Sequence, residues 1–426
     1  MKKLKNRNVK GTMDYLPEDE AVRRRIRRTL EDKFIRYNCL PLETPILNDQ
    51  ELMASKYAGG AEILEEMYTL SDRGSRELAL RYDLTIPFAK VIAMNPDLQM
   101  PFKRYEIGKV FRDGPVKPGR FREFTQCDVD ITGVKSQMAE AELLEMAFEI
   151  FQDLNLEITI QFNNRKLLVG MLEGISISTS RINDIILTLD KLEKIGIEGV
   201  RNELDQKGIT QEALANIDEL LREWTNQDIT YFQNLSINNQ KIREGLKELE
   251  ELTSYLEGLN LDNQCVFNPF LARGLDIYTG TIYEIFLTDR SITSSIGSGG
   301  RYDRAIGGLL GNNKFYSTVG ISFGLDVILS ALKEKNVQLN ENEKPEYIII
   351  PIGAKREALI VASSYRKKGV RIEVDMTEKR IGKSMDRANK RGIEKVIFVG
   401  GKEIEKNEIV VKCLNKGTEE RIPFIF

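Results

Sequence analysis

Between residues 121 and 131 the chain changes character at every second position: Arg122, Phe124, Gln126, Asp128 and Asp130 alternate with a set that includes Cys127, Val129 and Ile131. A strand keeps two such sets apart on its two faces, whereas a helix of 3.6 residues per turn would mix them. One face then carries a cation, a ring, an amide and carboxylates, and the other needs a covering apolar layer. Residues 102–111 read as the antiparallel partner, joined through a loop over 112–120 that contains Gly114, Pro115, Pro118 and Gly119. Further strand signals lie at 77–82, 158–162, 265–267 and 281–287, and at 40–47, where Pro41 and Pro45 suit an edge or an interface better than a sheet centre. Residues 297–300 read as a glycine-rich turn.

Helical spacing frames these strands. Ile26, Leu30 and Phe34, four apart, predict a helix over 18–36 whose basic run 23–28 faces solvent, and helical periodicity returns over 136–154 and 325–335. Residues 164 to about 259 are helical in pattern almost throughout and poor in aromatics, which predicts a helical insertion between two parts of one sheet domain. After a hydrophilic connector over 336–344, strand, helix, strand, helix and strand alternate from Tyr347 through Val399, the signature of a small α/β domain with a largely parallel sheet. The expected division is therefore 1–163 and 260–336 as one α+β domain on an antiparallel sheet, 164–259 as its insertion, and 344–426 as the α/β domain.

Composition bounds the chemistry more than the fold. The 426 residues include no histidine, which excludes Ser/His/Asp and Cys/His nucleophile systems, imidazole acid–base catalysis and histidine metal sites. Carboxylates, Arg, Lys, Tyr, backbone dipoles or a bound metal must do the work. Cys39, Cys127, Cys265 and Cys413 are scattered without a Cys-x-x-Cys spacing, so neither a zinc knuckle nor a disulfide framework is indicated and a reducing, cytoplasmic location fits. The basic start, residues 1–10, leads into no apolar signal region, and no run of about 18 apolar residues occurs, so neither secretion nor membrane spanning is expected. The net charge is -3, yet residues 344–426 carry 19 Lys and Arg against 12 Asp and Glu. That basic end suits nucleic-acid binding and equally a solvated helix face.

Two constellations carry chemistry. The first is the 122–130 face, which is either the floor of a pocket or a polar, solvent-facing sheet surface; the alternation alone does not choose. The second joins Arg273-Gly274-Leu275-Asp276-Ile277-Tyr278-Thr279-Gly280 to Gly299-Gly300-Arg301-Tyr302-Asp303. Glycines there permit close backbone approach to a ligand, and Arg273 and Arg301 suit a phosphate or carboxylate, though a plain β-turn explains a Gly-Gly pair as well.

Together, Lys10 to Pro17, Arg81-Tyr82-Asp83-Leu84-Thr85, the 112–130 stretch, Asn164-Arg165-Lys166-Leu167-Leu168, 272–284 and 299–303 resemble the histidyl-tRNA synthetases, class II aminoacyl-tRNA synthetases, over nearly the whole chain. The Gln-Cys-Asp-x-Asp and Asp-x-Tyr-Thr-Gly forms, with Leu189 to Lys194, are most similar to the branch that includes the eukaryotic enzymes. The resemblance implies an antiparallel catalytic sheet, a helical insertion and a C-terminal anticodon-binding α/β domain, in a homodimer whose interface uses the segment around Pro45. It implies adenylation of histidine by ATP, with magnesium held through the phosphates and a nearby carboxylate, then transfer to tRNA. By the same carry-over, Asp130 and Tyr278 read the imidazole, Asp83, Thr85 and Gln126 hold the α-amino group, Arg112 meets the α-phosphate, and Arg273 bridges substrate carboxylate and phosphate. Phe124 stacks on adenine, and Arg120 and Arg122 meet the tRNA acceptor end. No protein metal site is read.

The chain departs from the family pattern in three places. Its third motif reads Gly320 to Val327, with valine where the family has the arginine that contacts the ATP γ-phosphate. Loss of one preorganised charge contact costs roughly two to three powers of ten in rate, unless another cation such as Arg304 substitutes. Ile277 stands where the family usually has tyrosine, and the chain stops at Phe426 soon after its last strand, without the terminal helix that the family pattern leads one to expect. Val327 also motivates an alternative, a histidine-binding paralogue that does not charge tRNA, such as the regulatory subunit of ATP phosphoribosyltransferase. Against it stand Arg273 and the basic α/β end. The absence of histidine suggests a protein that can be made when charged histidine tRNA is scarce.

Overall fold

The computed structural model describes residues 6–55, 61–117, 119–175, 177–224, 227–234, 239–273, 277–312, 314–337, 344–377 and 380–426. Pro118, residues 274–276 of the second constellation and most of the 336–344 connector lie outside the described residues. Two compact units divide at residues 339 and 340.

The first unit is built on an eight-stranded sheet in the order Leu40–Pro41, Phe102–Phe111, Glu123–Thr132, Thr318–Gly324, Gly297–Arg301, Thr281–Leu287, Ile158–Asn164, Cys265–Phe267. The six inner strands run antiparallel, and only the two short edge strands are parallel to their neighbours. The expected turn at 297–300 is instead a central strand, Gly297–Arg301. Its glycines are there because flanking strands crowd it: a Cβ on Gly299 would stand 2.1 Å from the Gly320 carbonyl oxygen.

The apolar odd face of Glu123–Thr132 does find its cover. Cys127, Val129 and Ile131 are fully buried against the helices Pro17–Arg36, Met138–Asp153 and Leu325–Glu334. Pro17–Arg36 starts with Pro at its first turn followed by three acidic residues and ends with Lys33 and Arg36, the charge order that a helix dipole favours. Ile26, Leu30 and Phe34 form its buried stripe, and Phe34 packs on Tyr105 and Phe323 with ring centroids 5.5 and 6.1 Å away. The basic run is not wholly solvent-facing, however. Arg23 is buried because Asp326, at the start of Leu325–Glu334, offers it an ion pair and also accepts from the Tyr15 hydroxyl and the Thr125 amide, each at 2.7 Å.

Helices from Arg165–Gly174 to Gln240–Gly258 fill the stretch between two strands of the sheet, and their apolar faces belong to the same continuous core. Opposite the covered face, the helix Thr85–Met94 and a small sheet of Leu47–Asp49, Thr69–Ser71 and Glu77–Leu80 close over the even residues of 122–130.

The second unit holds a five-stranded sheet in the order Ile372–Val374, Tyr347–Ile352, Lys395–Gly400, Glu408–Cys413, Thr418–Pro423. The first three strands are parallel, as the alternation predicts. Glu408–Cys413 returns antiparallel to Lys395–Gly400 after the short helix Gly401–Glu405, so the sheet is mixed, and a hairpin at 414–417 with Gly417 at φ 64° adds Thr418–Pro423 antiparallel to it. No helix among the described residues is long and apolar enough to cross a membrane.

Candidate active site

The polar face of Glu123–Thr132 is a pocket floor rather than a wet sheet surface. Asp83, Thr85, Asp128, Asp130, Tyr278, Ser298, Tyr302 and Ser322 line one cavity with the backbones of Gly299, Gly300 and Gly320. Strand register brings them together: Asp130 lies across from Arg104 on one neighbour and Gly320 on the other, and Asp128 across from Glu106 and Ser322. Asp83 enters through a cap, its Oδ1 accepting from the Thr85 and Ile86 amides where the next helix begins. Helix N-termini favour such a carboxylate.

Charge is held under this floor by a chain of ion pairs. Arg104, with no exposed surface, contacts Asp130 Oδ2 at 2.6 Å, and its guanidinium lies 4.4 Å from the Phe88 ring. Glu106 stands 3.6 Å from Arg104 and 2.8 Å from Arg81, and the Tyr302 hydroxyl donates to Asp130 Oδ1. Burial raises Asp130 and Arg104 opposes that rise, while burial pushes Asp128 up to about 8. Tyr278 is also raised by burial, so the phenol stays a donor at neutral pH. Buried side-chain atoms without a hydrogen-bond partner converge here, among them Gln126 Oε1, Asp128 Oδ1 and Arg273 Nε. Buried polar atoms are rarely left so, and a cavity lined with them is shaped for a polar ligand.

The cations stand at the pocket's margin. Arg112 lies 4.3 Å from the Tyr82 ring and 5.1 Å from the Phe124 ring, and donates to the Tyr82 carbonyl at 3.2 Å. Arg273 pairs with Glu284, which lies across from Ser298, and its pKa is raised by nearby Tyr278 and Glu284 against burial.

Comparison with known proteins places this geometry. The family profile described as histidyl-tRNA synthetase matches residues 11–328, and one described as an anticodon binding domain matches 346–425. The chain belongs to the histidyl-tRNA synthetase family. It is 55% identical over 426 residues to histidine–tRNA ligase 2 of Shouchella clausii, covering 100% of both chains, and 54% identical to histidine–tRNA ligase 1 of Bacillus cereus, covering 99% of this chain and 98% of that one. The crystal structure of histidyl-tRNA synthetase from Nostoc sp. PCC 7120 superposes with a TM-score of 0.82 at 28% identity, covering 99% of this chain and 97% of that one.

Within this member of the histidyl-tRNA synthetase family, Asp83, Thr85, Asp130 and Tyr278 meet at the cavity, and Gln126 reaches it by donating to Ser322 Oγ at 3.0 Å. Arg120 and Arg122 lie on the preceding loop, paired with Glu66 at 2.8 Å and Asp113 at 2.7 Å. Two expected cations are elsewhere. Arg301 is buried in a two-pronged pair with Glu140, at 2.6 and 2.7 Å, and so is committed to the fold. Arg304 cannot stand in at Val327: it follows Arg301, which pairs with Val319, whereas Val327 follows Gly324 at the other end of that strand, roughly 20 Å away. Val327 instead faces the 112–120 loop, where a Cβ on Gly119 would lie 3.8 Å from its Cγ1. Ile277 is buried among Phe88 and Tyr302 neighbours. Sequence reasoning left Arg104, Tyr302, Ser298 and Ser322 without a role. Arg104 was open to detection, since pairing 102–111 with 123–132 in register sets it opposite Asp130.

Proposed function

We propose that this chain is a histidine–tRNA ligase whose cavity binds histidine with its imidazole at Asp130 and Tyr278. The observation that carries this is the buried pairing of an anionic acceptor with a phenolic donor in one cavity. Neutral imidazole has one donor and one acceptor nitrogen, and this pair satisfies both. Asp83, Thr85 and Gln126 hold the α-amino end. Arg273 then bridges the substrate carboxylate and the α-phosphate, and Arg112 meets the same phosphate, with adenine on the Phe124 ring.

Adenylation follows from that arrangement. The carboxylate oxygen attacks the α-phosphorus, a P–O bond forms, and pyrophosphate leaves with the bond to the β-phosphate. Negative charge grows on the α-phosphate, and preoriented guanidinium groups stabilise it without a protein general base. A chain without histidine can perform this step. Among the described residues no group of three or more Asp, Glu or Cys is disposed to hold a metal ion.

The adenylate then passes its histidyl group to tRNA, with Arg120 and Arg122 on the loop toward the acceptor end. The anticodon-binding domain, 344–426, reads the other end of the tRNA, and 164–259 is the insertion between catalytic parts 1–163 and 260–336. Exposed Leu40, Ile46 and Leu47 beside Pro45 support a homodimer interface there, in a cytoplasmic protein. A non-charging histidine sensor has no use for the anticodon-binding match at 346–425.

Histidine-dependent ATP–pyrophosphate exchange by the purified chain tests this, beside Val327→Arg. We expect exchange in the wild type and a higher rate in Val327→Arg. Histidine binding without wild-type exchange, restored by the arginine, would instead mark a sensor.

A further inference from the structure

Asp128 is the pocket carboxyl for which no family motif supplies a use, and its hydrogen bond with Ser322 leaves one of its oxygens over. It is 4% exposed, lines the cavity, and its Oδ1 has no hydrogen-bond partner among the described residues. The other two carboxyl groups are partly committed. Asp130 is held by Arg104 and Tyr302, and Asp83 spends one oxygen on two backbone amides.

Position selects a ligand for it. Residues 126, 128 and 130 point the same way along one strand, so Asp128 sits about 7 Å from Asp130 toward Gln126. That span is comparable with a histidine from ring to ammonium. Charge selects in the same sense. The groups facing Asp128 are Arg104 and Glu106 on one neighbouring strand, Ser322 on the other, Asp130 on its own, Asp83 beside the capping helix, and Tyr278 and Tyr302 at the rim. With Asp128 itself that makes four carboxyl groups around Arg104, one of them also paired with Arg81, so a cation arriving beside Asp128 favours its ionised form.

We infer that Asp128 binds the α-ammonium group of histidine, together with Asp83, and releases a proton to solvent as it does so. This rests on the histidine reading of the cavity. In the absence of ligand the carboxyl holds its proton up to about pH 8 because burial and the neighbouring Asp130 and Asp83 disfavour the anion more than Arg104 and the Ser322 hydrogen bond favour it. An ammonium group arriving beside it reverses the balance.

Calorimetric titration of the full chain at pH 7, in two buffers of different ionisation heat, counts the protons. Histidine is expected to release close to one proton from the wild type, and 3-(imidazol-4-yl)propionate, which lacks the amino group, far fewer. Asp128→Asn is expected to bind histidine roughly 10- to 100-fold more weakly, to release no such proton, and to bind the deaminated analogue as the wild type does. Fold loss is separately visible. A carboxyl raised in the folded chain ionises first in the unfolded one, so between about pH 4 and 8 its titration opposes folding, and Asp128→Asn should melt no lower than wild type at pH 8. Equal affinity and equal proton release in both proteins, or equal weakening for histidine and its analogue, would overturn the assignment. A wild type that binds neither ligand would overturn the histidine reading beneath it.

Discussion

Arg104 and Arg301 are both buried arginines paired with carboxylates, yet they do different work, and variants should separate them. Arg301 ties the Gly297–Arg301 strand to Glu140 of the helix Met138–Asp153, away from the cavity's polar floor. Removing one partner of a buried pair strands the other charge and costs about 3–5 kcal/mol. Arg301→Met should therefore lower the thermal midpoint sharply while the KM values for histidine and ATP, measured below that midpoint, stay near wild type. Tyr302→Phe does the reverse: it deletes one hydroxyl donor to Asp130 at a cost of about 1–3 kcal/mol. Steady-state exchange kinetics should show a raised histidine KM and an unchanged ATP KM. A uniform fall in turnover would contradict the positioning role.

Among the strands, the glycine-rich pair decides where the ligand fits. Gly297–Arg301 was legible only as a turn because glycine and serine carry no strand propensity; its strand character comes from neighbours on both sides. On the adjacent strand, a Cβ at Gly320 would fall 2.0 Å from Asp130 Oδ1. Gly320→Ala must push the Asp130 carboxylate off Arg104 and Tyr302. We expect loss of histidine-dependent exchange with ATP binding retained, read by exchange assay and nucleotide titration. Unchanged histidine KM would show that Asp130 is not the imidazole partner. The mixed C-terminal sheet was half legible: alternation of strand and helix marks the parallel part, but nothing in residues 408–423 sets the direction of the closing hairpin apart from the turn at Gly417.

For the whole molecule, the absence of histidine from all 426 residues means that its translation never waits on the tRNA it is proposed to charge. Ribosome profiling under histidine limitation should show its synthesis holding up while histidine-containing proteins fall; an equal fall would sink the idea. The order of motifs, the alternation at 122–130 and the helical stretch up to residue 259 were legible in the chain, since periodicity follows from which face each residue must bury. Asp83, Thr85, Gln126, Asp130 and Tyr278 came as a set from the family resemblance rather than from periodicity, and the fold gathers them at one cavity. What folding alone decided is which cations are free to act. Arg23, Arg104 and Arg301 read in the sequence like any other arginine, and only packing against Asp326, Asp130 and Glu140 commits them to the interior. A charge's function depends on its partner and its solvent, and residues 26 to 303 positions apart supply both.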